Sequence, residues 1–422
     1  MKLKIILTFC LCFALWGCQG QFGEKFLWSS QKESGTGETE QKTVRAAVLL
    51  PLSGKSAKVG EAFQNSAMMA LQEQSQSPME LMFFDTLGTA EGASTAWKNA
   101  KGQRPDVVIG PIFADEVRAL KDESPSVPVL SFTTDSTLME ESVYSMGVLI
   151  PSQIERLVQF MCEAGQKKIG VLGPEDKTGE LTMNVLSETV QRCPGIEVVK
   201  VSLYEPNTTN FTPAVLKMVP KQIDPKKGEL TEEEELELAK PMAERLAFDS
   251  LFIFEDGIKL QQLISLLAYY DVTPAVVPFY GLANWQSVKE RALTGGYFTA
   301  TPMDRAQKFN VRYQSTFGQV PPRISSLAYD AVSLVAFLAE RGRFDTMSLI
   351  QDEGFNGVNG RFRLRSNGTN ERLLEVFQFK TGRRFEQVSP VPEAFMDPDT
   401  SFKVPAPVVE EVPAAVEEPG VE

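Results

Sequence analysis

From residue 44 onward, short apolar runs alternate with stretches whose apolar residues recur every three or four positions. Runs of three to eight such residues between turn formers read as buried strands. The helical period between them reads as crossovers, so the pattern predicts βαβ units and parallel sheets. Strands are expected at 44–50, 81–85, 107–109 and 127–131, with helices at 57–74, 90–101 and 115–121. Val59, Phe63, Ala67, Ala70 and Leu71 fall on one face of the first helix, which marks the side that packs on the sheet. After 144–150 the pattern restarts with helix 152–164, strand 168–172, helix 180–191 and strand 198–203, and continues with strand 250–254, helix 259–268 and strands 275–280 and 297–300. Helices at 305–317 and 325–341 are long enough to return to the first sheet.

The fold class expected is therefore α/β, with two doubly wound parallel-sheet lobes joined by two or three crossover strands. Lobe 1 would hold 44–150 plus 304–385, and lobe 2 would hold 151–303. An insertion at about 220–246 carries four consecutive glutamates, Glu232 to Glu235, over a thin apolar stripe. Such a run reads as a solvated helix face or a partner-docking element.

The two ends follow other rules. Lys2 and Lys4 precede an apolar core of about a dozen residues that closes on Leu15, Trp16, Gly17 and Cys18. That core is shorter than the roughly 20 residues a membrane span needs, so residues 1–17 read as a signal peptide and Cys18 as the site of lipid attachment. Acyl chains contribute about 0.8 kcal/mol per buried methylene, which anchors a protein without spanning. Residues 18–43, rich in Gly, Ser, Thr, Gln and Glu, read as a flexible tether, and 386–422 as a Pro/Glu-rich tail.

Composition narrows the chemistry. Histidine is absent, which removes the commonest general base and metal ligand. No metal, cofactor or catalytic residue is expected. Formal charge is −13, and loss of residues 1–17 removes two lysines and no acid, giving −15, which disfavours nucleic acid. With Cys18 acylated, Cys162 and Cys193 remain, either as a disulfide across the strand at 168–172 or as two buried thiols.

Ligands of open parallel sheets lie at the carboxyl ends of the strands, here the loops at 51–54, 86–88, 110–114 and 132–136. Ser53, Thr133, Thr134, Asp135 and Asp256 are the candidate cleft contacts, and the hydroxyls among them read first as turn caps. Residues 48–54 (VLLPLSG), 107–111 (VVIGP), 129–131 (VLS) before Thr133 and Thr134, and 168–171 (KIGV) resemble type I periplasmic binding proteins of the branched-chain amino acid receptor kind. The resemblance places that family's carboxylate-binding serine at Ala114, its bifunctional threonine at Asp135, its tyrosines at Thr178 and Asp256, and its ammonium-binding glutamate at Ala283. It implies a solute-receptor fold that has lost its partners for a zwitterion. Residues 354–365 (GFNGVNGRFRLR), the Asn367-Gly368 turn and 374–379 (LEVFQF) are similar to the closing hairpin of penicillin-binding protein activators (LpoA-like lipoproteins). That resemblance implies a non-catalytic regulator on the periplasmic side of the outer membrane, contacting a bifunctional penicillin-binding protein or another cell-wall protein. The alternative is a lipoprotein solute receptor of an ABC importer for a small molecule other than a typical free amino acid.

Overall fold

The computed structural model describes residues 42–223, 230–342, 344–382, 384–397 and 399–403. The signal peptide, Cys18, most of the tether and residues 404–422 lie outside the described residues. The first sheet holds β1 (Val44–Leu50), β2 (Met79–Asp85), β3 (Val107–Ile109), β4 (Val129–Ser131) and β5 (Val143–Ser145), all parallel, in the order β2-β1-β3-β4-β5. Helices α1 (Ala57–Glu73), α2 (Ala90–Lys101) and α3 (Ala114–Asp122) make its crossovers.

Side chains alternate across a strand. Ala46, Val48 and Leu50 of β1 therefore join Phe63 and Ala67 of α1 in one core, while Ala47 and Leu49 join Ala96 and Trp97 of α2 in another. A strand covered on both faces has no polar side, which is why β1 reads as an unbroken apolar run.

The second lobe begins with α4 (Ile150–Glu163), β6 (Lys168–Pro174), α5 (Lys177–Val190), β7 (Glu197–Tyr204) and α6 (Thr212–Met218). The insertion follows, with α7 (Glu232–Ala239) and the single turn α8 (Met242–Arg245). Helix α7 buries none of its side chains, whereas Met242 and Leu246 rest against the second-lobe core. Next come β8 (Ser250–Ile253), α9 (Gly257–Tyr269), β9 (Phe279–Gly281) and β10 (Tyr297–Ala300). The chain then returns to the first lobe through α10 (Met303–Phe317), α11 (Ser326–Glu340) and the short α12 (Thr346–Leu349), and adds a small antiparallel sheet of β11 (Phe355–Gly357), β12 (Gly360–Leu364) and β13 (Asn370–Arg372). Phe309, Tyr313, Leu327, Phe355 and Phe362 all enter the first-lobe core.

The last strands, β14 (Glu375–Lys380) and β15 (Arg384–Ser389), join the second sheet in the order β15-β14-β10-β9-β8-β6-β7. This corrects the expected boundary. Residues 375–385 were assigned to lobe 1, but β14 pairs antiparallel with β10 because Phe377 and Phe379 bury in the second-lobe core. The expected tail likewise starts too early: 386–389 belong to β15, and Phe402 is buried. Two smaller differences have local causes. The first sheet gains a fifth strand at β5, and β9 starts at Phe279 because the Val276 and Val277 N–H groups turn back to the Thr273 carbonyl around Pro274.

Three crossings, at 146–149, 301–302 and 373–374, connect the lobes. Cys162, on the last turn of α4, is bonded to Cys193 just past α5, with Cα atoms 5.9 Å apart, within the usual disulfide range.

Candidate functional site

The first crossing leaves the carboxyl end of β5 and the second that of β10, and the third enters β14 beside Ala300. The carboxyl edges of both parallel sheets thus border the hinge, and the interlobe cleft is lined by the loops that follow those strands.

On the first lobe these loops are closed on themselves by carboxylates. Asp85, at the end of β2, accepts hydrogen bonds at Oδ1 from the N–H groups of Leu52 (2.9 Å), Ser53 (3.2 Å) and Leu87 (2.9 Å), and at Oδ2 from Ser53 Oγ (2.6 Å). Desolvation works to raise its pKa, but these four bonds outweigh it and hold the carboxyl below its ordinary value. Glu116 ties the next two loops together. It is buried on α3, accepts from Thr86 Oγ1 and from the Phe113 N–H (2.9 Å), and burial pushes its carboxyl up.

After β4, Thr133 is buried, its hydroxyl accepting from the Asp135 N–H (3.2 Å) and its carbonyl from Ser145 Oγ (2.7 Å). Asp135 caps the turn Ser136–Leu138 by accepting from Thr137 N–H (3.1 Å) and Oγ1 (2.6 Å), and lies 4.0 Å from Arg118, which is bound to Asp115 at 2.6 Å. Thr134 is exposed beside Gly147 of the first crossing, where an added Cβ would stand 2.9 Å from the Thr134 methyl.

The second-lobe edge is also acidic. Glu255 accepts from Tyr204 Oη (2.6 Å), while its backbone carbonyl accepts from Trp285 Nε1 (3.1 Å). Burial, reinforced by that bond to Glu255, drives the Tyr204 phenol far above its usual range. Asp256 is exposed and accepts from Asn284 Nδ2 (3.1 Å). Asp176 caps α5 through the Gly179 N–H (2.8 Å). Across the cleft, Arg323 of the first lobe donates to Gln286 Oε1 of the second.

The predicted contacts are therefore split. Thr133 and Asp135 share one loop, Ser53 is bound to Asp85 on another, and Asp256 belongs to the opposite lobe. Of the positions assigned to zwitterion recognition, Thr178 is exposed in the first turn of α5, Ala114 starts α3, and the Ala283 N–H is taken by Gln153 Oε1 at 2.8 Å. Glu116, Tyr204 and Trp285 build the site without having stood out in the sequence pattern. Glu116 alone carried a signal: an acid at the third position of a helix can reach back to accept from the N–H of the residue before it, as Glu116 does from Phe113. Among the described residues, no cluster of three or more His, Cys, Asp or Glu side chains is arranged for a metal, and no helix is long and apolar enough to cross a membrane.

Residues 43–384 match the family model described as Periplasmic binding protein. Among solved structures, the chain is similar to a leucine-binding protein from Thermotoga maritima, at 18% identity over 83% of this chain and 99% of that one, with a TM-score of 0.55. A putative branched-chain amino acid ABC transporter protein from Rhodospirillum rubrum superposes at TM-score 0.66, with 16% identity over 82% and 100% of the two chains. A solute-binding protein from R. palustris, solved in complex with benzoate, gives 0.52 at 16% identity over 83% and 97%. At such identities the likeness shows the fold. No curated protein matches the chain.

Proposed function

Because the chain belongs to the periplasmic binding protein family, we propose that it is a solute receptor of the cell envelope that closes its lobes over a small polar molecule bearing no free carboxylate. One observation carries this reading: the first-lobe N–H groups and hydroxyls best placed to receive a ligand anion already serve Asp85, Glu116 and Asp135. With Glu255 and Asp256 on the other edge, an incoming carboxylate would meet like charge, and an unpaired charge in a closing cleft costs several kcal/mol. Neutral hydroxylated or cationic solutes meet acceptors instead. Ser53, Thr133, Thr134, Asp135 and Asp256 remain the proposed contacts, the two free to turn toward a ligand being Thr134 and Asp256, both exposed.

In this reading Cys18 carries the lipid and holds the receptor on the periplasmic side of the outer membrane, and an ABC importer is its client. Calorimetry with the mature chain tests the ligand class. Micromolar binding of a neutral or cationic solute, with none of leucine or benzoate, is expected; tight binding of leucine would overturn it.

A second reading is favoured by residues 354–379, whose sequence resembles the closing hairpin of penicillin-binding protein activators. Their β11–β13 sheet forms one body with the first-lobe core, a rigid surface for a partner. Co-purification with a bifunctional penicillin-binding protein, and faster glycan synthesis on adding the ligand-free chain, would move the assignment to that reading.

A further inference from the structure

Beyond β15 the chain does not simply leave the fold. It passes from the second lobe onto the first and back again, and an arginine holds it at each landing. At the start, Arg156 of α4 donates from Nη2 to Ser389 Oγ and to the Pro390 carbonyl (3.2 Å), on the second lobe. By Phe395 the segment is on the first lobe. The guanidinium groups of Arg361 and Arg363, on β12, lie over the Phe395 ring at 5.5 and 4.6 Å from its centre, and Arg361 Nη1 also donates to the Glu393 carbonyl at 3.4 Å.

Two residues later the chain is back on the second lobe. Arg192, just past α5, donates from Nη2 to the Asp397 carbonyl (3.1 Å) and from Nε to the Thr400 carbonyl (3.0 Å). Its own carbonyl accepts from the Phe402 N–H (2.7 Å), and its guanidinium covers the Phe402 ring at 4.5 Å. Phe402 is buried in the core that holds Ile154 and Cys162, and Met396 packs against that core.

The first-lobe landing is rigid. Arg361 Nε and Nη2 both donate to the Glu353 carbonyl (2.9 and 2.6 Å), and Arg363 Nε donates to Glu371 Oε2 (2.7 Å). Fixed cations over an aromatic face attract it, so Phe395 is a peg in a prepared socket. The segment also runs beside the third crossing, where Pro392, Ala394 and Phe395 line one narrow gap together with Leu373 and Leu374. An extended chain covers at most about 3.5 Å per residue, so only about 7 Å of chain joins the peg at Phe395 to the second-lobe hold at Asp397. The crossings can absorb a lobe rotation through their own φ and ψ angles. This short link cannot: lobes turning apart at this edge must break one hold or the other.

We propose that the segment after β15 is a hinge brace, pegged to the first lobe by Phe395 and to the second by Arg192, which limits how far the lobes turn about the third crossing. The brace acts on the protein without solute, so it stands or falls apart from the solute reading.

Nitroxides carried on p-acetylphenylalanine in place of Lys101 on α2 and Ser187 on α5, both exposed, leave the cysteines untouched and report the interlobe distance by pulsed electron resonance. The mature chain without solute should give one narrow distribution. Phe395→Ala and Arg192→Ala should each widen it by about 3 Å, the length of one released residue. The double variant should be no wider than the wider single, because two holds on one link act in series. Phe395→Tyr, which keeps the ring face, should return the narrow distribution. Phe395 is half-buried, so its removal leaves both cores intact. An unchanged distribution in Phe395→Ala, a double variant whose widening is the sum of the singles, or a Phe395→Tyr chain as wide as Phe395→Ala overturns the proposal.

Discussion

Glu116 stands where the loops after β2 and β3 meet, and its protonation decides how firmly they are joined. Burial raises its pKa in the folded state above the 4.5 of an unfolded chain, so between 4.5 and the folded value the native protein holds the proton more tightly. Stability conferred by the protonated form is then complete below 4.5 and lost as pH climbs through that window. Glu116→Gln keeps the shape and removes the titration. The advantage of the unsubstituted protein over this variant should therefore shrink between pH 4 and pH 7 in urea unfolding; an advantage that grows with pH would mean the carboxylate form is the stabilised one. Residues of this kind expose the limit of pattern reading. Asp135 was visible as an acid near a loop end, but that its oxygens, like those of Asp85, would be consumed by neighbouring N–H groups depends on backbone approach after folding. Ser53 illustrates the same point: its hydroxyl faces Asp85 at 2.6 Å.

At the scale of elements, the turn between β12 and β13 shows what was legible and what was not. Asn367-Gly368 between alternating strands announces a hairpin. Its docking is long-range and silent in the pattern. The Gly368 carbonyl accepts from the Ser145 N–H (2.9 Å), and Asn370 Nδ2 donates to the Ser145 and Gly147 carbonyls (2.7 and 2.8 Å), so the hairpin seals the end of β5 and the first crossing. Gly368 has φ +81°, and a Cβ there would stand 2.3 Å from the Glu140 and Val143 carbonyl oxygens. Gly382 has φ +77° but open space around its Cβ position. Gly382→Ala should cost about 1–2 kcal/mol from backbone conformation alone, whereas Gly368→Ala should cost about 1–3 kcal/mol more through the clash. Equal losses in denaturant melts would show that the docked turn yields freely. The same silence explains β14 and β15: alternating Phe377 and Phe379 declare a strand, but not which sheet will take it. Strand β5, Val143–Ser145, runs directly into the first crossing, so its apolar residues merge with the run at 144–150 that reads as the start of the next lobe.

For the molecule as a whole, the two parallel-sheet lobes were legible because each strand–helix switch repeats one local rule, and the return of the chain through α10 and α11 followed from helix length. What no local rule gives is the balance between open and closed lobes. The bond from Arg323 to Gln286 joins the lobes across the cleft, yet Arg323 is exposed, so its removal should barely change the stability of either core. A solute that draws the lobes together gains from every contact present only in the closed form, and loses in affinity whatever closure no longer returns. If Arg323 contributes to closure, Arg323→Ala should weaken solute binding by about 5-fold, equivalent to about 1 kcal/mol for an exposed charged hydrogen bond, with Tm nearly unchanged. Small-angle scattering on the same variant should then show a larger radius of gyration in the absence of solute and the unsubstituted value at saturation. An unchanged affinity together with an unchanged radius would place the bond in both forms, and closure would have to be driven by the loops at Thr134 and Asp256 instead.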